Sequence, residues 1–302
     1  MTLVLTQASE RHVLQVADRL VTRDTGEPFD RLANKNVVYL CKDAIVTLGY
    51  TGIAYLNDMP TDIWLAERLT GWQLNSWGHV RFGTPAQYHF HEAMHALVHG
   101  LDNVLARQKL AFEVAIGGWK WGRSRRKRRR PAPVAMTITY FPGAGLKVNY
   151  PPRHWHYSGM AFRASPSLNL SRKLHARIWS ELLRLRGHAD SERILVEAVR
   201  ATASANARVG GDCMSILLAP PHVRCYGRVR FLPVNVVLQT IHPRRSPLPV
   251  VFSPWVITPG SVTAPAIMVG GAVVRWDQWS IEIEAPTSDV ILWHSQERPK
   301  LQ

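Results

Sequence analysis

The predicted strands and helices of this 302-residue chain come in blocks and do not alternate one by one. Short runs rich in β-branched and aromatic residues predict strands, and apolar residues spaced by three and four predict helices. Their order along the chain is strands, two helices, strands, two helices, strands. A doubly wound parallel sheet needs a helix between successive strands. This order therefore favours an α+β fold in which helices flank two antiparallel sheets.

The strand predictions also indicate how the chain is divided. The predicted strands are 3–7, 12–18, 37–40, 45–50, 111–116, 135–140, 146–150, 155–158, 214–218 and 223–229. Four more, 234–238, 250–256, 272–276 and 280–284, follow in a proline-rich region without helical periodicity. We therefore predict one domain over residues 1–229 and a β-rich C-terminal extension over residues 230–302.

Capping residues and apolar stripes define four predicted helices. Thr61 is expected to cap the first helix, and Thr84-Pro85 to begin the second. Asp190 or Ser191 is expected to cap the fourth. The last three helices are predicted over 84–108, 168–185 and 192–205. The apolar stripe of the second consists of Phe90, Met94, Leu97, Leu101 and Leu105.

The formal net charge is +15, and much of this excess lies in one short segment. The basic residues in it are Arg123, Arg125, Arg126, Lys127, Arg128, Arg129 and Arg130. Removing these seven charges leaves +8. We predict a hairpin insertion at about 119–133 with this basic segment at its tip. Like charges so close together repel, so the tip is predicted to be solvated. The alternative is that Arg123–Arg130 contacts a polyanion or an anionic lipid surface.

The cysteine content and the apolar patterning indicate a compartment. Cys41, Cys213 and Cys225 are widely spaced and form no CxxC pair, which fits a reducing environment. The N-terminal residues lack the apolar core of a signal peptide. The apolar stretch 256–274 is interrupted by prolines and glycine. We therefore expect a soluble, cytoplasmic protein with no membrane span.

Thr2 acquires a reactive arrangement if Met1 is removed. It would then carry a hydroxyl nucleophile and a free α-amine on one residue. The reference pKa of an α-amine is about 7.7 to 8.0, so a large fraction is neutral near physiological pH and can accept the hydroxyl proton. Nucleophile and general base would then need no distant partner.

Residues 2–228 resemble the proteasome β-subunit branch of the N-terminal-nucleophile hydrolases, which includes the bacterial heat-shock protease subunit. In that family an N-terminal threonine is followed by an acidic residue at the end of the second strand and by a lysine before the third. Thr2, Asp18 and Lys35 match these positions, with separations of 16 and 33 residues from Thr2. The second separation is one residue longer than usual. The resemblance implies a divergent, bacterial-type member with a four-layer αββα sandwich.

The same resemblance implies an activity and a set of supporting residues. Lys35 would keep the Thr2 amine neutral, and Asp18 would hold that lysine in place. The turn from Gly49 to Gly52 would supply a backbone donor to the oxyanion. Further supporting positions are Arg19, Ser158, Gly210 and Gly211. The implied protein is an N-terminal-threonine amidohydrolase, and among amidohydrolases the resemblance favours a peptidase. This chemistry uses no metal or organic cofactor. The resemblance also implies a homo-oligomeric ring.

Two positions depart from the family pattern. Near the end of the fourth helix the family has an aspartate and, three residues later, a serine before glycines, whereas here Asn206 and Val209 precede Gly210-Gly211. Asparagine supplies no charge and valine supplies no hydroxyl. The alternative is therefore a non-catalytic binding or assembly protein that uses the basic segment and the C-terminal extension.

A further alternative comes from His91-Glu92-Ala93-Met94-His95, which matches the HExxH pattern of zinc peptidases. On a helix this pattern places both imidazoles on one face beside a glutamate. His99 lies on the same face, but eight helical residues span about 12 Å, which is too far for one zinc ion. A zinc hydrolase using His91, Glu92 and His95 is thus weighed against a simple histidine-rich helix surface.

Overall fold

The computed structural model describes residues 3–23, 25–30, 33–74, 80–83, 89–121, 131–150, 160–164, 172–184, 187–220, 225–232, 254–263, 272–276 and 279–284. Its strands are β1 Val4–Ser9, β2 Val13–Asp18, β3 Val21–Thr22, β4 Pro28–Asp30, β5 Asn36–Leu40, β6 Ala44–Thr51, β7 Tyr55–Leu56, β8 Met59–Pro60, β9 Val80–Phe82, β10 Phe112–Lys120, β11 Ala132–Phe141, β12 Gly145–Asn149, β13 Met160–Ala164, β14 Cys213–Leu218, β15 Cys225–Leu232, β16 Trp255–Ile257, β17 Ser261–Thr263, β18 Ala272–Trp276 and β19 Trp279–Ile283. Its helices are α1 Thr61–Thr70, α2 Phe90–Leu105, α3 Arg172–Arg184 and α4 His188–Ala205. The described chain is thus α+β, as the element order predicts.

Two large sheets contain most of the strands. One has seven strands in the order β13-β1-β2-β14-β15-β19-β18, and the other has eight in the order β12-β11-β10-β6-β5-β16-β17-β9. The hairpins β3–β4 and β7–β8 form separate two-stranded ladders. The site-bearing strand β2 lies between β1 and β14, so it is hydrogen-bonded on both sides.

The strands after residue 232 join both sheets, and they do so by parallel pairing. β19 runs parallel to β15 in the seven-stranded sheet, and β16 runs parallel to β5 in the eight-stranded sheet. The prediction of two antiparallel sheets is therefore wrong at these two places. Parallel neighbours require long connections. The paired strands are far apart in sequence, which leaves no local signal of the pairing.

Three apolar cores hold the sheets and helices together. The first packs α1 and α2 against the eight-stranded sheet, through residues such as Trp64, Leu97 and Leu48. The second includes side chains from both sheets, and the third packs α3 and α4 against the seven-stranded sheet. All five residues of the predicted stripe of the second helix are buried, because that face of α2 packs on the sheet.

A buried polar network connects the two sheets. Gln15 on β2 donates through Nε2 to Thr6 Oγ1 at 2.9 Å and to the carbonyl oxygen of Ala115 at 3.0 Å. Its Oε1 accepts from Asn36 Nδ2 at 2.6 Å and from Thr47 Oγ1 at 2.8 Å. Every polar group of this fully buried amide is therefore paired, which fixes β2 relative to the opposite sheet.

The second helix begins later than predicted. α2 starts at Phe90, and a capping box forms in which the backbone N–H of His89 donates to Glu92 Oε2 at 3.0 Å. Thr84-Pro85, the predicted start, lies outside the described residues. Histidine is not among the preferred N-cap residues, which explains why the sequence pattern pointed elsewhere. The helix also ends at Leu105, three residues before the predicted end.

The fourth helix begins earlier than predicted. α4 starts at His188 after the N-cap Gly187, so Asp190 and Ser191 lie in its first turn and are not caps. Ser191 Oγ donates to the Gly187 carbonyl oxygen at 3.2 Å, which is compatible with a helical position. The strands that were not predicted from the sequence are β3, β4, β7, β8, β9, β13 and β17. The predicted strands at 155–158 and 234–238 lie outside the described residues.

Within the described residues, no helix has the length and apolar character needed to cross a membrane.

Candidate active site

The site is built where the first two strands form a hairpin. β1 and β2 pair antiparallel with Val4 opposite Ala17. Beyond this pair, the backbone N–H of Asp18 donates to the Leu3 carbonyl oxygen at 3.1 Å. The Leu3 N–H donates in turn to Asp18 Oδ1 at 2.7 Å. Since Leu3 is bonded to Thr2, Asp18 is fixed one residue from the predicted nucleophile.

The Asp18 carboxylate is fully buried and accepts four hydrogen bonds. Oδ1 accepts the Leu3 N–H, and Oδ2 accepts the N–H groups of Leu20 at 3.2 Å and Gly210 at 3.0 Å. Lys35 Nζ also donates to Oδ2, at 3.0 Å. Three backbone N–H groups and one ammonium therefore surround this carboxyl group with donors, one of them charged.

Lys35 is equally buried and has a fixed position. Its Nζ donates to Asp18 Oδ2 and to the Leu20 carbonyl oxygen. Its own carbonyl oxygen accepts the Tyr50 N–H at 3.0 Å, which ties the residue to β6. Burial lowers the pKa of Lys35 below its ordinary value, and the Asp18 carboxylate opposes that effect. The predicted pair of Asp18 and Lys35 is thus brought together, at a separation of 17 residues in sequence.

Arg19 forms a second buried cation beside this pair. Its guanidinium carbon lies 5.0 Å from the centre of the Phe231 ring. Burial lowers the pKa of Arg19 to about 10, while the carboxylates of Asp30 and Asp212 act in the opposite direction. Asp30 also acts to raise the pKa of Lys35. The site therefore has a second carboxylate, which the sequence reasoning missed.

Asp30 is reached through the β3–β4 hairpin, where it pairs with Val21. The residue is 9% exposed. Asp30 could have been identified from charge compensation. Burying the two cations Arg19 and Lys35 with Asp18 as the one carboxylate near them would be costly, so a second carboxylate is expected.

The two glycines proposed for the oxyanion site lie in different surroundings. Gly49 is in the middle of β6, where an added Cβ would lie 2.7 Å from Val4 Cγ1 and 2.9 Å from Gln15 Oε1. This glycine allows the two sheets to approach closely. Gly52 has φ +101°, and an added Cβ would lie 2.1 Å from the Ala111 carbonyl oxygen.

A small pocket opens beside Lys35, and Gly52 is on its wall. The other residues that line it are Leu20, Val21, Thr22, Tyr50, Ile53 and Ala54. Apart from Lys35, the side chains of this wall are uncharged. The arrangement places one cation at a pocket whose other side chains are neutral.

The segment after α4 reaches the site through its backbone. Gly210 donates its N–H to Asp18, and an added Cβ would lie 2.7 Å from Leu20 Cβ, so only glycine fits without a shift. The carbonyl oxygen of Gly211 accepts from Cys213 Sγ at 3.3 Å, so its described hydrogen bond leads to β14 and not to Asp18 or Lys35. Val209 is buried in the core under α3 and α4, and Asn206 Oδ1 accepts the N–H of Arg208 in an exposed turn.

Several predicted residues cannot be placed in this geometry. Thr2, Ser158 and the basic segment Arg123–Arg130 lie outside the described residues. Trp119, where the predicted hairpin insertion begins, lies in β10, is buried, and donates through Nε1 to the Leu218 carbonyl oxygen at 3.1 Å.

The HExxH residues lie on α2, on the far side of the eight-stranded sheet from Asp18. His91 and His95 are exposed. The Glu92 carboxylate accepts the His89 N–H as part of the helix cap. Among the described residues, no three or more metal-ligating side chains are grouped so that they could hold an ion.

No protein-family model and no curated protein matches the sequence. Among solved structures, a Gly-1 mutant of Anbu from Hyphomicrobium sp. strain MC1 matches with a TM-score of 0.51 and 10% identity, covering 78% of this chain and 88% of that chain. Anbu (ancestral beta-subunit) from Yersinia bercovieri matches with a TM-score of 0.46 and 10% identity over 72% and 81% of the two chains. Eukaryotic HslV from Trypanosoma brucei matches with a TM-score of 0.40 and 16% identity over 72% and 99%. The first of these shows that the described chain shares a fold with Anbu, the proteasome-like N-terminal-nucleophile fold.

Proposed function

We propose that this chain is an N-terminal-threonine amidohydrolase of the peptidase type, with Thr2 as its nucleophile once Met1 is removed. The observation that carries the proposal is the buried Asp18–Lys35 pair, in which Asp18 binds the N–H that follows Thr2. A buried ion pair is rarely worth its desolvation cost for stability alone. The pair lies at the end of β2 and is hydrogen-bonded to Leu3 just before β1, which supports a role in activating Thr2 next to Leu3.

The proposed chemistry follows from these groups. The Thr2 hydroxyl oxygen attacks the substrate carbonyl carbon while the hydroxyl proton passes to the α-amine. The amine then gives this proton to the leaving nitrogen, which leaves an ester on Thr2. Water, deprotonated by the same amine, hydrolyses the ester. The positive charge of Lys35 disfavours protonation of the nearby amine and stabilises negative charge on the hydroxyl oxygen.

The remaining parts of the proposal concern the oxyanion and the architecture. We assign the oxyanion donor to the end of β6 near Gly52, because Gly52 lines the pocket that contains Lys35. We also propose that residues 1–229 form a four-layer αββα sandwich, to which strands of residues 230–302 add, and that copies of the chain form a homo-oligomer.

The test is covalent labelling by an electrophile that captures an N-terminal threonine, followed by intact mass measurement. The expected result is loss of Met1, one added label per chain, and no label on Thr2→Ala. Thr25→Ala, which changes an exposed threonine, should label like the unchanged protein. Cys41 and Cys213 should not compete, since burial raises the pKa of each thiol to about 12.

Retention of Met1, or a label that persists on Thr2→Ala, would overturn the assignment of the nucleophile. Lys35→Met tests the activating charge at nearly constant side-chain length. It should slow labelling at least 100-fold, in the range expected for loss of a positioned catalytic group, roughly 10² to 10⁴. Circular dichroism of Lys35→Met checks that the fold is unchanged.

A second function is favoured by the segment after α4. Val209 packs in a helix–sheet core and Asn206 is used in a local turn, so neither supplies the polar support that the resembled family has there. This favours a non-catalytic binding protein that retains the fold. If Thr2 is free at the N-terminus but does not react, this second function replaces the first, and charge reversal of Arg123–Arg130 then tests polyanion binding.

A further inference from the structure

The exposed face of α2 carries a row of histidines. His91, His95 and His99 are spaced by four residues and are all exposed. Between them, Ala93, Met94 and Leu97 are buried against the eight-stranded sheet. The histidines therefore lie on the face of the helix directed away from the core.

This spacing is suited to chelation of a metal ion. Residues four apart on a helix are surface neighbours, with about 5–6 Å between their Cβ atoms. Two imidazoles at that spacing can bind one ion at nitrogen-to-metal distances of about 2.0–2.1 Å. His91 and His99 are about 12 Å apart along the helix, so they cannot share an ion. The row therefore offers two overlapping pairs, and His95 belongs to both.

The charge of the helix also favours a cation. The chain carries a net charge of +15, yet α2 contains no lysine or arginine and has two carboxylates, Glu92 and Asp102. From neighbouring elements, Arg68 of α1 packs beside Gly100 and Lys120 of β10 lies over the Phe90 ring, so the favourable charge is that of the helix itself. His99 Nε2 lies 3.4 Å from Asn103 Nδ2, and this exposed contact is weak enough for a metal bond to replace it.

The position of Glu92 separates this face from a zinc peptidase site. Its carboxylate accepts the backbone N–H of His89 and so serves the helix cap. No third protein ligand is grouped with these histidines in the described part of the chain. An ion held here would have two protein ligands and would take water in its other positions.

We propose that the His91–His95–His99 face of α2 is a two-histidine chelating site for a divalent transition-metal ion that prefers imidazole, such as Ni²⁺, Cu²⁺ or Zn²⁺. The site is independent of Thr2 and of the amidohydrolase chemistry. Each ion occupies either the His91/His95 pair or the His95/His99 pair.

The test is calorimetric titration of the full chain with Ni²⁺ in a buffer that does not bind the metal. His95→Ala removes both pairs and should weaken this site roughly 100-fold or more, the gain expected when a second ligand binds intramolecularly. His91→Ala and His99→Ala each leave one pair, so each should weaken binding only about twofold, or about 0.4 kcal/mol. His175→Ala, which changes an exposed histidine on α3 with no histidine four residues away, should bind like the unchanged protein.

Two results would overturn the proposal. One is unchanged Ni²⁺ binding by His95→Ala, and the other is an equal loss in His175→Ala. Lowering the pH from 7.5 to 5.5 provides an independent readout, because protons compete with the metal for imidazole. As the pH falls, the Ni²⁺ affinity of the unchanged protein should decrease, and the difference in affinity between that protein and His95→Ala should disappear. A difference that is independent of pH would contradict imidazole ligation.

Discussion

Asp18 connects three stretches of chain that are far apart in sequence. Its carboxylate binds Lys35, the N–H of Leu3 at the start of β1, and the N–H of Gly210 after α4. The loss of its charge would leave the buried Lys35 ammonium without its hydrogen-bonded carboxylate, which is more costly than the absence of both charges. Measurements of the free energy of unfolding can therefore separate the effect of removing the whole Asp18–Lys35 pair from the effect of removing one of its charges.

Asp18→Asn should lower the free energy of unfolding by about 3–5 kcal/mol, the usual cost of breaking a buried ion pair by removing one partner. The double variant Asp18→Asn with Lys35→Met should lose less than Asp18→Asn alone, because it leaves no unpaired ammonium. Urea unfolding measures both values. Asp102→Asn, at an exposed carboxylate, should change little. A double variant less stable than Asp18→Asn would contradict the paired state.

His12, at the turn between β1 and β2, should make stability depend on pH. Burial lowers its pKa from 6.5 to about 4, and the neighbouring His188 and Arg11 act in the same direction. As the pH falls below 6.5, the unfolded chain takes up a proton that the folded chain excludes, so stability is lost down to about pH 4. Between pH 7 and pH 5 the loss should be about 2 kcal/mol.

The measurement is urea unfolding at pH 7 and at pH 5. His12→Gln should reduce the difference between the two pH values by that amount, whereas His175→Gln, on the exposed surface, should leave it unchanged. An unchanged pH dependence in His12→Gln would show that this histidine is not held neutral.

The family resemblance, through the separations of 16 and 33 residues from Thr2, carried the prediction of Asp18 and Lys35, and the structure brings those two residues into contact. Asp30 could not be found in this way. Its effect on Arg19 and Lys35 depends on how the β3–β4 hairpin folds back on the end of β2, and nothing in the flanking residues records that contact. Gly49 shows the opposite case, because a glycine expected in a turn lies within a strand where two sheets approach closely.

The strand β19 is tied to α4 by a network of ion pairs. Arg230 on β15 donates to Glu192 Oε2 at 2.6 Å and to Glu284 Oε2 at 2.7 Å. Arg228 lies 3.5 Å from both carboxylates. Glu192 is on α4 and is buried, and Glu284 directly follows β19. The network therefore joins a helix of the predicted first domain to a strand of the predicted extension.

Arg230→Met should lower the free energy of unfolding by about 1.5–3 kcal/mol, the range for hydrogen bonds to charged groups. It should also speed amide hydrogen exchange in Trp279–Ile283 more than in Val13–Asp18. Arg193→Met provides the control, since its ion pair with Glu197 is exposed and should contribute less than about 1 kcal/mol. Equal losses in the two variants would contradict a structural role for the network.

Helix and strand identity was largely readable from periodicity, but pairing partners and boundaries were not. The stripe of α2 is buried as predicted, because its spacing depends only on the helical repeat. The start of that helix depends on a hydrogen bond between the His89 N–H and Glu92. Histidine is not among the residues preferred at the N-cap, so the sequence did not indicate this start. The parallel pairing of β16 with β5 involves residues more than 200 positions apart, for which the sequence has no local record.

The strands after residue 232 cover an edge of both sheets. β16 pairs with β5, whose five residues are all buried, and β19 pairs with β15. These strands also contribute core side chains, among them Trp255, Val256, Ile257, Ile281 and Ile283. Their removal would expose two unpaired strand edges together with the apolar surface beneath them, which is a template for aggregation.

A chain cut after Leu232 should therefore be much less stable than the full chain and should aggregate, although it retains every residue of the predicted first domain. The loss of several buried large side chains, each worth about 1.5–3 kcal/mol of burial, exceeds the few kcal/mol by which most domains are stable. A chain cut after Glu284 is the matched control, because it keeps β16 to β19 and the Arg230 network. Size-exclusion chromatography and thermal unfolding should show a folded, non-aggregated species for the longer chain alone. If the shorter chain is equally stable, residues 230–302 are a separable extension and the strand pairings do not contribute to the core fold.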